Sequence, residues 1–162
     1  MLDRDGVPTA KDLARFTPSK ERMAKGAVAI IECFQPIPCD PCYDWCMRGA
    51  IKRFKNPTDL PQIDFERCNG CGLCVIGCPG LAIFVVDQTY SKQRALVKVP
   101  YEFLPLPEEG EMVEALNREG EIVGEAEVLK VQRTKQKTSL ISLLVPQRLA
   151  MEVRCFRRKW NG

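Results

Sequence analysis

Eight of the nine cysteines lie between positions 33 and 78, in two runs: "ECFQPIPCDPCYDWC" at 32–46 and "CNGCGLCVIGCP" at 68–79. Thiols this crowded can chelate a metal, staple a small fold through disulfides, or hold iron with inorganic sulphide. The chain has no histidine. That removes Cys/His zinc fingers, Rieske centres, histidine-ligated haem and any histidine general base. Whatever binds here binds through thiolate.

The second run has the spacing of an iron–sulphur site. Cys68, Cys71 and Cys74 stand at two-residue gaps, so a tight loop can wrap three thiolates around one cluster with its amides turned inward. Gly70, Gly72 and Gly77 are expected to allow that close backbone approach. Cys78, after a three-residue gap, begins a turn that carries its sulphur to a neighbouring cluster. Pro79 suits the start of that turn, having no N–H to leave unpaired.

The first run is a repeat of the second. At an offset of 32 residues, Cys39, Cys42 and Cys46 fall on Cys71, Cys74 and Cys78, and "CMRGAI" falls on "CPGLAI". Pro36 stands opposite Cys68, and Cys33, three residues upstream, is the available replacement. The leading ligand has moved. Crossing the fourth cysteine of each run assigns Cys33, Cys39, Cys42 and Cys78 to cluster one, and Cys68, Cys71, Cys74 and Cys46 to cluster two. Pro36 and Pro38 would stiffen the widened loop and aim Cys33. Met47, where the second run has Pro79, costs preorganisation but removes no ligand.

Other chemistries stay open. "CDPC" and "CNGC" could form zinc knuckles, a disulfide framework would need an oxidising compartment, and cluster one could be lost or be [3Fe–4S]. Tyr43 and Trp45, between ligands, could shield a cluster or simply pack. Arg48, Lys52, Arg53 and Lys55 could offset cluster charge, meet an acidic partner or form a solvated face. Cys155, in "MEVRCF", reads as a buried small hydrophobe.

The rest of the chain must position these thiols. At 162 residues it allows one ordinary domain or two small ones, and its net charge of +3 is too weak to imply nucleic acid. No apolar run reaches about eighteen residues, so no spanning helix is expected. The first residues lack the apolar core of a secretory signal, which makes the cytoplasm the expected compartment. Residues 1–28 read as a polar arm with a short helix at 18–26, expected to pack on a partner. Residues 29–98 carry the cysteine runs, and 99–110, with three prolines, read as a connector. Residues 111–162 read as a small all-β barrel or sandwich, with "EMVEAL" and "EIVGEAEVLKV" as a hairpin about "NREG", then "TSLISLLVP" and "RLAMEVRCF". Residues 108–127 hold eight glutamates and 128–159 nine Lys/Arg. Antiparallel pairing would bring these opposite charges together, and a steering or docking patch is the other reading. No G-x-G-x-x-G, phosphate loop or nucleophile elbow is present, so no catalytic residue is expected on this chain.

From Cys39 to Ile83 the chain resembles the dicluster bacterial-type ferredoxin domain, on seven cysteines, Pro79, the doubled "C-x-x-x-A-I" and "IDFERCNGCG". The resemblance implies an α+β ferredoxin-like fold, two short hairpins and two short helices around two [4Fe–4S] clusters. A narrower resemblance, on "IECFQPIPCDPCYDWC" and covering about residues 18–100, is to the small iron–sulphur subunits of multisubunit FAD-dependent amino-acid and amine dehydrogenases of the proline/hydroxyproline dehydrogenase type. It implies an electron-transfer subunit in a hetero-oligomer with flavin-containing dehydrogenase subunits, FAD or FMN sitting in those partners. A freely diffusing ferredoxin would be expected to have a strongly acidic surface. A structural iron–sulphur protein could use Arg158, Lys159 and Trp160 on nucleic acid.

Overall fold

The computed structural model of the chain describes residues 2–159. Five short helices, α1 (Leu2–Asp5), α2 (Ala10–Ala14), α3 (Lys20–Met23), α4 (Pro41–Asp44) and α5 (Leu73–Gly77), accompany seven strands. The strands are β1 (Val28–Ile31), β2 (Ile83–Asp87), β3 (Arg94–Tyr101), β4 (Met112–Leu116), β5 (Ile122–Gln132), β6 (Ser139–Pro146) and β7 (Cys155–Arg158). They form one antiparallel sheet in the order β1-β2-β3-β6-β5-β4-β7. No helix among the described residues is long and apolar enough to cross a membrane.

The mixture of helix and antiparallel sheet agrees with an α+β class. The sheet, however, does not stop where a separate C-terminal β unit was expected. Residues 99–101, expected in the connector, continue β3, which pairs with β6 along its whole length. The reason lies in burial. β1 ("VAII"), the first four residues of β2 ("IFVV") and nearly all of β6 are buried on both faces, whereas β3 alternates. A lone two-stranded hairpin cannot bury two faces and leaves an edge unpaired. Here β3 covers the β2 edge. One face, with Ile30, Phe84, Val97, Ile141 and Leu143, joins a core shared with β4, β5 and β7. The other, with Ala29, Ile31, Ile83, Val85 and Leu140, packs against the cysteine-bearing loops.

The sheet curls around the shared core. Tyr101 of β3 and Phe156 of β7, with three strands between them in the sheet, stack at 4.6 Å and 21°. The opposite charges of the C-terminal half do meet, as Arg157–Glu114, Arg158–Glu111, Arg94–Glu127 and Lys159–Glu125. The expected strand over "RLAMEVRCF" is mostly absent. Gln147–Leu149 form a 3₁₀ turn, and β7 begins only at Cys155. A compact turn buries Leu149, Ala150 and Val153 as well as a strand would, and a short apolar alternation cannot separate the two. Cys155 is only half-buried; Phe156 takes the core position.

The 32-residue repeat reappears in three dimensions. α4 and α5 occupy corresponding positions, and Gly49 and Leu81, also corresponding, both take positive φ, 61° and 52°. The bridge Ile51↔Ile63 corresponds to the β1–β2 pair Ile31↔Ile83 with its halves exchanged. So does Asp64 N–H donating to Ala50 O (2.8 Å) against Glu32 N–H donating to Ala82 O (2.7 Å). This exchange is a pseudo-twofold axis, and it explains how thiols from the two runs come to share sites.

Candidate metal centre

The eight expected ligands divide between two small cavities of equal size, about 20 Å³ each. The first is lined by Cys33, Cys39, Cys42 and Cys78 with Ile31, Pro41, Pro61, Pro79 and Ile83. The second is lined by Cys46, Cys68, Cys71 and Cys74 with Ala29, Trp45, Ala50, Ile51 and Ile63. Each takes three cysteines from one run and one from the other. Ile31 and Ile83 of the first correspond through the repeat to Ile63 and Ile51 of the second.

Backbone amides point at the thiols. Ala29 N–H donates to Cys68 Sγ (3.3 Å), Ala50 and Ile51 N–H to Cys46 Sγ (3.2 and 3.4 Å), and Ala82 N–H to Cys78 Sγ (3.4 Å). The position corresponding to Ala29 is Pro61, which has no N–H to offer, so the two sites differ in their sulphur hydrogen bonding. Such bonds and solvent access set the potentials of iron–sulphur sites.

Burial pushes the Cys42 thiol up to about 12, and the charges of Cys78, Cys39 and Cys33 push the same way. Burial does the same to Cys74, also to about 12, reinforced by Cys68, Cys71, Cys46 and Cys42. Cys33 is raised by burial and then by Cys78 and Cys39. Each set of four is therefore a group of mutually repelling sulphurs, and ionising them together requires a cation among them. No three His, Cys, Asp or Glu side chains among the described residues converge closely enough to hold one metal ion. The thiols stand around a void instead, and such a donor set fits a multi-iron cluster.

Gly70 and Gly72 line the second cavity, and Gly70 and Gly77 also let other parts of the protein come close. A Cβ on Gly70 (φ +66°) would lie 2.4 Å from Ala27 Cβ, and one on Gly77 would lie 2.2 Å from Trp45 Cγ. The close approaches are to the protein's own β1 approach and indole. Positions 45 and 77 correspond through the repeat, so a tryptophan lies on the glycine that replaces its own counterpart. Trp45 thus both packs and lines the second cavity, whereas Tyr43 is exposed and Met47 is 80% exposed.

Three features escaped the sequence reading. Arg22, buried in α3, donates to the carbonyls of Phe65 (2.6 Å), Gly26 (3.1 Å), Ala27 (3.0 Å) and Cys68 (2.6 Å), tying the N-terminal arm to the ligand loop. Lys98 of β3 donates from Nζ to Gly70 O (2.9 Å) and Cys71 O (3.4 Å); burial lowers its pKa, and the neighbouring Cys71 charge opposes that. Glu32, next to Cys33, is held by Arg118 and Arg154. An arginine in a polar arm and a lysine in an alternating strand look like ordinary surface residues, and only Glu32 stood inside a quoted motif.

Residues 61–84 match the family model described as a 4Fe-4S binding domain. This stretch is a ferredoxin-type iron–sulphur domain. The chain is similar to the "Ferredoxin-type protein NapF" of Haemophilus influenzae, 46% identical over 54 residues, which are 32% of this chain and 30% of that protein. It is similar to the "Pyruvate synthase subunit PorD" of Methanocaldococcus jannaschii, 38% identical over 52 residues, 32% of this chain and 58% of that one. It is also similar to the "Hdr-like menaquinol oxidoreductase iron-sulfur subunit 1" of Archaeoglobus fulgidus, 36% identical over 75 residues, 40% of this chain and 27% of that one. The chain spans less than two thirds of each relative's length. No solved structure matches it.

Proposed function

We propose that the chain is an electron-transfer subunit holding two [4Fe–4S] clusters, one in each cavity. Cys33, Cys39, Cys42 and Cys78 would hold the first, and Cys68, Cys71, Cys74 and Cys46 the second. The observation that carries this is the division of eight thiols into two like-sized cavities, each completed by a cysteine from the other run. When bound, such clusters accept and release single electrons without making or breaking covalent bonds to a substrate. The protein's part is to exclude water with Ile31, Ile51, Ile63 and Ile83, and to aim amides at the sulphurs.

The reading extends to a flavin-dependent amino-acid or amine dehydrogenase complex, with FAD or FMN in partner subunits. Residues 29–98 are the cluster-bearing part of it. The exposed parts of the N-terminal arm, the loop at 102–110 and the exposed faces of the β-rich remainder supply surface for those partners. Two relatives are named as subunits of redox enzymes, which supports a partner-bound role over a freely diffusing one. Anaerobic purification of the untagged complex, with iron and flavin analysis of each polypeptide, tests it. A flavoprotein co-purifying in fixed ratio is expected; iron on this chain with no flavoprotein in any fraction overturns the complex.

A further inference from the structure

Arg15, Lys52, Arg53 and Lys55 converge on one open groove with Phe54, Asp59, Leu60 and Gln62. All four cations are exposed, and none forms an ion pair among the described residues. Elsewhere on the surface, Arg94, Arg157, Arg158, Lys159 and Lys25 each meet a carboxylate. The one acid in the groove, Asp59, turns its Oδ2 to the backbone N–H groups of Lys55 (3.1 Å) and Asn56 (2.9 Å) and pairs with none of the cations, and its single charge leaves the groove net positive. Apart from the Arg15 guanidinium, which lies over the Phe16 ring at 6.0 Å, the cations are left for something else.

The position of the groove says what. Pro61 and Ile63, beside it, line an adjoining part of the same depression with Arg15 and Lys52, and they also wall the first and second thiol cavities respectively. Lys52 N–H donates to Gln62 O at 2.8 Å, fixing this wall to the strip after α4. Arg15 is placed by the N-terminal arm. Thr9 and Asp12 cap α2 reciprocally, and Phe16 sets its edge on Phe34 (5.2 Å), next to Cys33. A partner seated here stands one side chain from both sites.

We propose that this groove is the docking face for an acidic electron-transfer protein, which exchanges one electron at a time with the chain. The proposal rests on the relay reading above. A positive groove steers a negative partner and raises its association rate, an effect that salt suppresses.

The test is stopped-flow reduction of the iron-loaded chain by two donors, a reduced acidic flavodoxin and a photoreduced deazaflavin too small to dock. In each case one electron leaves the donor's flavin and one arrives at iron. For the wild type, the flavodoxin rate is expected to fall about tenfold between low and high salt. In the triple variant Lys52→Glu, Arg53→Glu, Lys55→Glu, with iron content unchanged, it is expected to be low throughout while the deazaflavin rate holds. A variant reduced by flavodoxin at the wild-type rate overturns the proposal. So does a dT homopolymer that binds the wild type and not the variant while flavodoxin reduction is unaffected, since the groove is then a nucleic-acid site. Failure of both donors to reduce the wild type overturns the relay itself.

Discussion

Glu32 and Arg154 are 122 residues apart in sequence and joined by a 2.7 Å hydrogen-bonded ion pair. Glu32 follows β1 at one edge of the sheet, and Arg154 precedes β7 at the other. Their side chains are 7% and 4% exposed, so the pair closes the curl from inside. Arg118, in the β4–β5 turn, adds two hydrogen bonds to the same carboxylate, of 2.8 and 2.6 Å. Burial works to raise the Glu32 carboxyl, yet the two arginines outweigh it and hold it below the usual range. Burial brings Arg154 down to about 10 against the opposing pull of Glu32. Its guanidinium lies over the Phe84 ring at 5.1 Å, which faces an arginine whose Nη2 has no hydrogen-bond partner among the described residues.

Removing the Glu32 charge leaves the buried Arg154 and the partly buried Arg118 without their shared counter-charge. Glu32→Gln is expected to lower folding stability by about 3 kcal/mol, read by anaerobic denaturant unfolding of the iron-loaded chain. Lys25→Met, which breaks the exposed pair to Glu66, is expected to change it by about 0.5 kcal/mol or less. Equal effects would show that the sheet edges are not held together here.

Trp45 and Gly77 test the pseudo-twofold contact. Gly77→Ala places a methyl where the indole lies and is expected to cost about 1–3 kcal/mol. Adding Trp45→Leu should return part of that loss, because it frees the space. A double-mutant cycle with no coupling between the two positions would remove the contact from the account.

Lys98 holds two carbonyls of the loop around the second cavity and none around the first. Lys98→Met removes a cation near Cys71, so the more negative, reduced state there becomes harder to reach. The potential of the second site is expected to fall by about 1 kcal/mol, or about 40 mV for one electron, with the first site moving less. A potentiometric titration followed by EPR reads both. A shift common to both sites would assign Lys98 a general role in folding instead.

Chelating the iron should loosen the ligand loops before the sheet. Amides at Ala29, Ala50 and Ala82, which donate to sulphur, are expected to lose hydrogen-exchange protection. Val97, Ile141 and Leu143, in the core shared by both halves of the sheet, should keep theirs. Simultaneous loss at all six would mean that the sheet needs the metal to fold.

The 32-residue offset was visible in the sequence because ligand spacing tolerates little change, and it relates α4 to α5 and Ile51–Ile63 to Ile83–Ile31 in the fold. The hairpin about "NREG" was equally visible, since Asn117 and Gly120 are strong turn formers between alternating strands. What could not be read was how the two halves join. The pairing of β2 with β3 and β3 with β6 depends on which strands have two faces to bury, and a short run such as "IFVV" or "SLISLLVP" is apolar whichever neighbour covers it. The roles of Arg22, Lys98 and Arg154 depend on contacts 28 to 122 residues away, and nothing local marks them.

The central claim is that two multi-iron sites are built from crossed sets of thiols. Anaerobic reconstitution of the full chain, with iron assay and EPR of the reduced protein, tests it most directly. The account predicts about eight irons per chain and a spectrum broadened by two neighbouring paramagnets. Zinc in place of iron, or about four irons with the signal of one isolated cluster, would contradict it.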